Sequence, residues 1–307
     1  MGQLKWLVAV ALAVLVLLVL LALALFAFAW KASGDAMHPG PGAYDWRLAD
    51  YAQLQPEEVS VGGRTGTAIA GRFYPGKSRA TIVLVHGYGG NQDEMLPTAS
   101  ALHDAGFSVF SFDARGSGRS TGEITFGARE QADLESVVDY LTTRPDVDAE
   151  RIGALAFSMG AAATIMAAAE DKRIKAVVED SGWADVHHWL RPKLRDMFVH
   201  PRARFTPLSM KLIELRTGID FDRLKPGEVV GRLAPRPLLI IHGERDDVVP
   251  PSDADELFAA AKEPKELWRV DGAAHGDTLR PGGATSSGRV VAFFKKALLG
   301  EGNGSTG

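Results

Sequence analysis

The sequence of 307 residues contains no cysteine. That absence excludes disulfides and thiolate metal sites, while leaving the redox compartment open. Charge of one sign is also scarce: 34 Lys and Arg stand against 38 Asp and Glu, a formal net charge of −4. The chain therefore lacks the basic excess on which nucleic-acid binding draws, and no nucleic-acid partner is expected. No segment repeats at a fixed period, which sets aside solenoids and propellers. No His-Glu-x-x-His or comparable ligand spacing occurs, so no metal site is expected.

Apolar residues, by contrast, are concentrated in one place. Residues 7–30 run almost unbroken through Leu, Val, Ala and Phe, with Lys5 before them and Lys31 after. At about 1.5 Å rise per residue, roughly 20 apolar residues cross the hydrocarbon core of a bilayer, so this run is long enough to span. A cleaved signal peptide has a shorter apolar stretch of about 7–15 residues, although Ala27-Phe28-Ala29 offers an A-x-A-like cleavage site. The expectation is a transmembrane anchor over residues 1–31. A linker over residues 32–55 follows, where Gly34, Pro39, Gly40, Pro41 and Gly42 crowd together. Lys5 and the amino terminus on one side nearly balance Lys31 and Arg47 on the other. The reading adopted places the body outside the cytoplasm.

Beyond the linker, the pattern alternates. Residues 59–61 and 68–74 read as two strands joined by Gly62-Gly63-Arg64. Apolar runs at 81–85, 108–112, 151–157, 174–178, 237–241 and 267–270 suit buried strands. Helical stretches at 94–105, 131–141 and 288–299 lie among them. This alternation implies an α/β fold, a mostly parallel sheet covered by helices on both faces. Between residues 183 and 235 the rhythm breaks. Two helices near 186–195 and 208–217, separated by Pro201 and Pro207 and rich in Arg and Lys, imply a lid insertion. Its basic side chains suit a solvated face, or contact with anionic lipid headgroups or an acidic substrate. Trp183, Trp189, Met197 and Phe198 suit an apolar acyl pocket or packing within the lid. Residues 300–307 are Gly-rich without an apolar side chain, and a disordered tail is expected.

The chemistry-bearing residues gather at strand ends, where ligands sit in such sheets. The run 152–157 stops at Ser158, and Met159-Gly160-Ala161-Ala162-Ala163 opens an alanine-rich helix to Ala169. A strand that turns into a helix within one residue strains that residue and holds its side chain above the sheet edge. Ala156 and Gly160 are small enough to make room for it. Amides at the helix start favour negative charge at the same spot. Ser158 is thus a candidate nucleophile; the plain alternative is a small-residue crossing between strand and helix. A serine hydroxyl requires a base, and that base an orienting group. His275 and Asp246 each follow a later strand on the same edge, in the chain order Ser, Asp, His. Asp247 and Asp180 are alternatives for the acid.

Acyl transfer also requires donors for the developing oxyanion, each worth about 3–4 kcal/mol. The amides of Met159 and, in His86-Gly87-Tyr88-Gly89-Gly90, of Tyr88 are the candidates. Ser120 and Ser181 also end strands but lack small flanks. His86 and His242 each precede a glycine and suit structural roles. His103 belongs to a helix surface, and His187, His188 and His200 to the lid surface. Gly116-Ser117-Gly118 follows a strand, but Gly122 is misplaced for a dinucleotide loop and no helix opens there.

In order along the chain stand His86-Gly87-Tyr88-Gly89-Gly90, Asp113-Ala114-Arg115-Gly116-Ser117-Gly118, Phe157-Ser158-Met159-Gly160, His242-Gly243 with Asp246 and Val249-Pro250, and Gly272-Ala273-Ala274-His275. With these motifs the chain resembles the α/β-hydrolase superfamily. Within it, the chain is similar to the serine aminopeptidase and prolyl-oligopeptidase-like groups over residues 59–299. The resemblance implies an α/β-hydrolase domain over 56–299 with its lid at about 183–235, and no cofactor. It also implies a Ser158–His275–Asp246 triad that hydrolyses an acyl bond through an acyl-enzyme. The family spacing after His242-Gly243 favours Asp246 over Asp247. Ala156 departs from the usual first glycine of G-x-S-x-G. The expected bond is a carboxylic ester of a small or lipid-like acyl substrate, with a peptide or amide as the alternative. A non-catalytic binding module on the same fold is the reading from a different class. Nothing in the sequence sets an oligomeric state.

Overall fold

The computed structural model describes residues 2–40, 42–195 and 207–301. Met197, Phe198, His200 and Pro201 of the expected lid, and residues 302–307 of the expected tail, lie outside the described residues. In chain order the elements are α1 (Gly2–Met37), β1 (Glu57–Gly62), β2 (Ala68–Tyr74), β3 (Thr81–Val85), α2 (Leu96–Asp104), β4 (Ser108–Phe112) and α3 (Glu130–Thr143). There follow β5 (Ile152–Phe157), α4 (Met159–Glu170), β6 (Ile174–Asp180), α5 (Val186–Arg195), α6 (Pro207–Thr217) and α7 (Pro226–Val229). The chain closes with β7 (Leu238–Gly243), α8 (Ser252–Ala260), β8 (Lys265–Val270) and α9 (Gly288–Phe294). These form two compact units, Met1–Met37 with Leu190–Ile219, and His38–Trp189 with Asp220–Gly307.

In the first unit, α1 is long and apolar enough to cross a membrane. Its large side chains from Leu4 to Trp30 are exposed. The helix does not stop with the apolar run but continues through Lys31–Met37. Lys31 Nζ donates to Asp35 Oδ2 at 2.6 Å one turn later, a spacing that supports a helix. This last stretch packs with α6. Arg216 Nη1 donates to Ser33 Oγ at 2.9 Å, and the guanidinium lies 4.7 Å from the centre of the Trp30 ring.

The second unit holds one eight-stranded sheet in the order β1-β2-β4-β3-β5-β6-β7-β8. β1 pairs antiparallel with β2, and β2 antiparallel with β4. Every other neighbouring pair is parallel. The parallel strands are buried on both faces because alternate residues feed two separate cores. Val83, Val85, Ala154 and Ala156 meet Val137 and Val138 of α3, Ala161 and Ile165 of α4, and Leu257 of α8. Ile82, Leu84, Leu155 and Phe157 meet Leu96 and Leu102 of α2 and Val290 and Phe294 of α9. The chain leaves β3 for β4 on one side and then returns to β5 on the other. That reversal opens a crevice at the carboxyl ends of β3 and β5.

Three further differences from expectation have identifiable reasons. Helix α8 was not expected. It opens on Ser-Asp-Ala-Asp-Glu and presents only Ala254 and Leu257 as buried apolar residues, so its apolar stripe is too thin to read. β6 runs on through Glu179 and Asp180, two carboxylates buried inside the sheet. β8 begins at Lys265, since an edge strand tolerates charged side chains.

Gly160 marks the closest approach between helix and sheet. A Cβ there would lie 2.4 Å from the His86 carbonyl oxygen and 2.8 Å from that of Val85. Both obstacles are backbone and have no room to retreat. Gly160→Ala should therefore cost about 1–3 kcal/mol, read as a lower midpoint of thermal unfolding for the full chain in detergent. An unchanged midpoint would show that β3 and α4 move apart freely.

Candidate active site

The crevice places Ser158 at the end of β5 with φ +53° and ψ −120°. A non-glycine residue rarely adopts positive φ, and the strain persists because its surroundings leave no other course. The Ser158 N–H donates to the Asp180 carbonyl at 2.8 Å, and its carbonyl accepts from Ala162 N–H at 3.1 Å. Ala156 is fully buried and paired with Val85 of β3, so a methyl in place of the first glycine is accommodated and the sharp turn still forms.

His275 reaches this turn from the loop after β8. Its Nε2 lies 3.0 Å from Ser158 Oγ, and its Nδ1 2.7 Å from Asp246 Oδ2. Asp246 comes from the loop after β7, where its Oδ1 accepts from the amides of Val248 and Val249 at 2.9 and 2.8 Å. Burial pushes this carboxyl up. The hydrogen bond and charge of His275, with the two amides, outweigh burial and hold it below the ordinary range. An ionised carboxylate only accepts, so Nδ1 carries the imidazole proton and Nε2 turns its lone pair to the serine hydroxyl. Asp247 is exposed, which separates the two adjacent acids. The three side chains that the sequence singled out stand in one hydrogen-bonded line.

The loop after β3 lies against the same turn. A Cβ at Gly87 would fall 3.3 Å from Ser158 Cβ and 2.9 Å from Phe157 Cδ1, so only glycine lets the backbone come so near. Gly90 N–H closes this loop onto the Gly87 carbonyl at 3.1 Å. Met159 opens α4, so its N–H is among the four that a helix leaves without an internal partner. The Tyr88 ring stacks on Phe126 at 5.7 Å and meets the edge of Trp189 at 5.5 Å. Trp189 in turn stacks on Trp183 at 5.4 Å. Both tryptophans are buried, and they form a packed aromatic wall beside the loop after β3.

His86 and His242 serve the turns, as expected. His86 Nε2 accepts from Ala114 N–H at 3.0 Å. His242, whose pKa burial lowers, lies 3.1 Å by Nε2 from the Val249 carbonyl, so Nε2 is its donor. Ser120 bonds the Asp113 carbonyl, Ser181 the Asp180 carboxylate, and His187 Asp222. His103 Nε2 lies 3.0 Å from the Pro75 carbonyl oxygen.

Two features escaped the sequence. A cavity of about 210 Å³ borders the other side of His275, lined by Tyr44, Trp46, Glu94, Leu279 and Arg280 among others. Glu94 Oε2 also accepts from Gly87 N–H at 2.7 Å, tying the cavity lining to the loop after β3. Loss of hydration pushes the Glu94 carboxyl up, against the pull of His86 and the Gly87 amide. The second is the setting of Asp180, weighed above only as an alternative acid: it is fully buried and bonded by the hydroxyls of Thr278 at 2.5 Å and Ser181 at 2.8 Å. Burial raises its pKa to about 6 despite those hydroxyls.

The architecture has counterparts among solved structures. The Pyrococcus furiosus esterase Pf2001 superposes with a TM-score of 0.67 at 26% identity, over 84% of this chain and 99% of that one. The α/β hydrolase GrgF from a Penicillium species shares the fold, with a TM-score of 0.66 at 22% identity over 80% of this chain and all of its own. By sequence, the model of the serine aminopeptidase S33 family matches residues 76–219. The protein YfhR of Escherichia coli O157:H7 is 30% identical over 230 residues, 72% of this chain and 74% of its own length. The fold and the order of its motifs are those of an α/β-hydrolase. The chain belongs to that superfamily and to one family with YfhR, and the S33 match covers just under half of its length.

Asp180 yields a pH test. In the folded chain its carboxyl keeps the proton to about pH 6, whereas an ordinary aspartate loses it near 3.8. Folding stability therefore falls as pH rises through this interval, and the contribution is flat above it. At about 1.4 kcal/mol per pH unit the total is about 3 kcal/mol. Asp180→Asn should lack this slope, so its stability relative to the parent rises between pH 4 and 6.5 and then levels. Unfolding midpoints measured across that range check it. A difference independent of pH would mean that Asp180 is ionised throughout.

Proposed function

We propose that this protein is a membrane-anchored serine hydrolase that cleaves a carboxylic ester through an acyl-enzyme. The observation that carries the reading is the line Ser158 Oγ–His275 Nε2–Asp246 at 3.0 and 2.7 Å, ending on a strained turn. Ser158 Oγ attacks the acyl carbon while its proton passes to His275 Nε2, and Asp246 stabilises the imidazolium. The amides of Met159 and Tyr88 receive the oxyanion. Collapse of the tetrahedral adduct breaks the ester bond, and the leaving alcohol takes the proton from Nε2. Water, deprotonated by the same nitrogen, then releases the acid and restores Ser158. The cavity beside His275 lies where the alcohol would depart, and its modest size suits a small leaving group. No metal or cofactor is required by this scheme.

Ester over amide is favoured by the likeness to the Pyrococcus esterase, and peptide cleavage by the S33 family description. The exposed apolar length of α1 supports an anchor that stays attached, with the body on the extracytoplasmic side. The substrate is then a small or lipid-like acyl compound.

Treatment of the full chain in detergent with a fluorophosphonate should label Ser158, and Ser158→Ala should abolish labelling. Asp246→Asn should lower turnover of short-chain p-nitrophenyl esters by about 10⁴-fold, because a neutral amide permits the wrong imidazole tautomer. Faster turnover of aminoacyl anilides than of esters would move the assignment to a peptidase. A folded protein that takes no label would leave a binding module. Intact mass of the membrane-extracted chain should include residues 1–31, and protease should reach the body from the extracytoplasmic face only. A mature chain lacking those residues would make them a signal sequence.

A further inference from the structure

We infer a second site, independent of the hydrolase chemistry: a divalent transition-metal site built by His188, Asp253 and Glu256. One ligand atom from each of the three lies within 4.8 Å of the other two. Asp253 and Glu256 stand three residues apart on α8, which puts them on one face of that helix. His188 comes from the first turn of α5, 65 residues away in sequence.

Asp253 is the unusual member. It has no exposure to solvent. Its Oδ1 is already engaged twice, by the Ala184 N–H at 2.9 Å and by His188 Nδ1 at 2.6 Å. Its Oδ2, the other oxygen of a carboxylate that belongs to the cluster, is buried with no hydrogen-bond partner among the described residues. A buried carboxylate oxygen without a partner is costly. A salt link to His188 alone would satisfy one oxygen and leave the other. A cation satisfies both and draws in the exposed carboxylate of Glu256.

The donor set of one imidazole and two carboxylates points to Zn²⁺ or Mn²⁺ rather than to Ca²⁺ or Mg²⁺, which take oxygen ligands. With three protein ligands and Glu256 at the surface, water completes the coordination. The ring nitrogen that faces the ion presents its lone pair, and any proton it carried passes to solvent. The ion would fasten the first turn of α5 to α8 and so fix the neighbouring Trp189 in the aromatic wall.

The test uses the full chain in detergent, stripped with EDTA, desalted and equilibrated with micromolar Zn²⁺ or Mn²⁺. Elemental analysis after dialysis should find one ion per chain, and the unfolding midpoint should rise with metal concentration. His188→Gln and Glu256→Gln should each weaken binding at least about tenfold, since even outer-shell partners are worth about 10–100-fold. Glu256 is exposed, so its variant folds and keeps the experiment decisive should Asp253→Asn fail to fold. Absence of stoichiometric metal in the parent protein, or equal binding by the His188 and Glu256 variants, overturns the proposal. Fluorophosphonate labelling is read in parallel; a protein that binds metal but takes no label leaves this site standing while the hydrolase reading falls.

Discussion

Everything around the crevice depends on the positive φ of Ser158. Such a backbone costs about 1–3 kcal/mol and survives only where neighbours over-determine it. Here the neighbours are specific. The Asp180 carbonyl holds the Ser158 amide, and α4 starts without a spare residue. Gly160 lets that helix rest on the carbonyls that end β3, and Gly87 lets the next loop close over the turn. None of these glycines is free to vary, because each faces atoms with no room to yield. The result is a hydroxyl presented above the sheet edge in a fixed place, the preorganisation that the proposed nucleophile requires.

Around that hydroxyl, two buried aspartates at the ends of neighbouring strands have their acidities pushed in opposite directions. Asp246 receives two amides and an imidazole, which outweigh its burial. Asp180 receives only hydroxyls and stays protonated to about pH 6. Divergent environments acting on like groups commonly divide roles between them. Asp246 is left as the charge that orients His275, while Asp180 braces Thr278, three residues beyond it.

Much of this was legible in the sequence because the parallel strands are buried on both faces. Thr81–Val85 and Ser108–Phe112 were read to the residue, since a doubly covered strand is an apolar run bounded by turn residues. Ser158 was legible through the small residues at 156 and 160, which a sharp turn demands. The choice between Asp246 and Asp247 was less so: neighbouring acids look alike until the amides of Val248 and Val249 fold one of them inward. What stayed hidden has a common cause. Glu179 and Asp180 continue a strand, and Glu94 and Tyr44 line a cavity, only because partners distant in sequence neutralise the cost of burying them. No local pattern carries that information. Helix α8 was missed for the opposite reason, being polar on most of its surface.

The clasp between α1 and α6 bears on how the protein is to be handled. Arg216 holds both Ser33 and Trp30, so the tail of the apolar helix and a segment some 180 residues downstream fold as a single unit. Removing α1 as far as Met37 to gain solubility would thus take away more than an exposed apolar helix. It would strip α6 of its packing partner and leave a guanidinium, an apolar face and a long insertion to find new company. Aggregation of a shortened protein would then report on the missing half of that unit, and not on the integrity of the sheet.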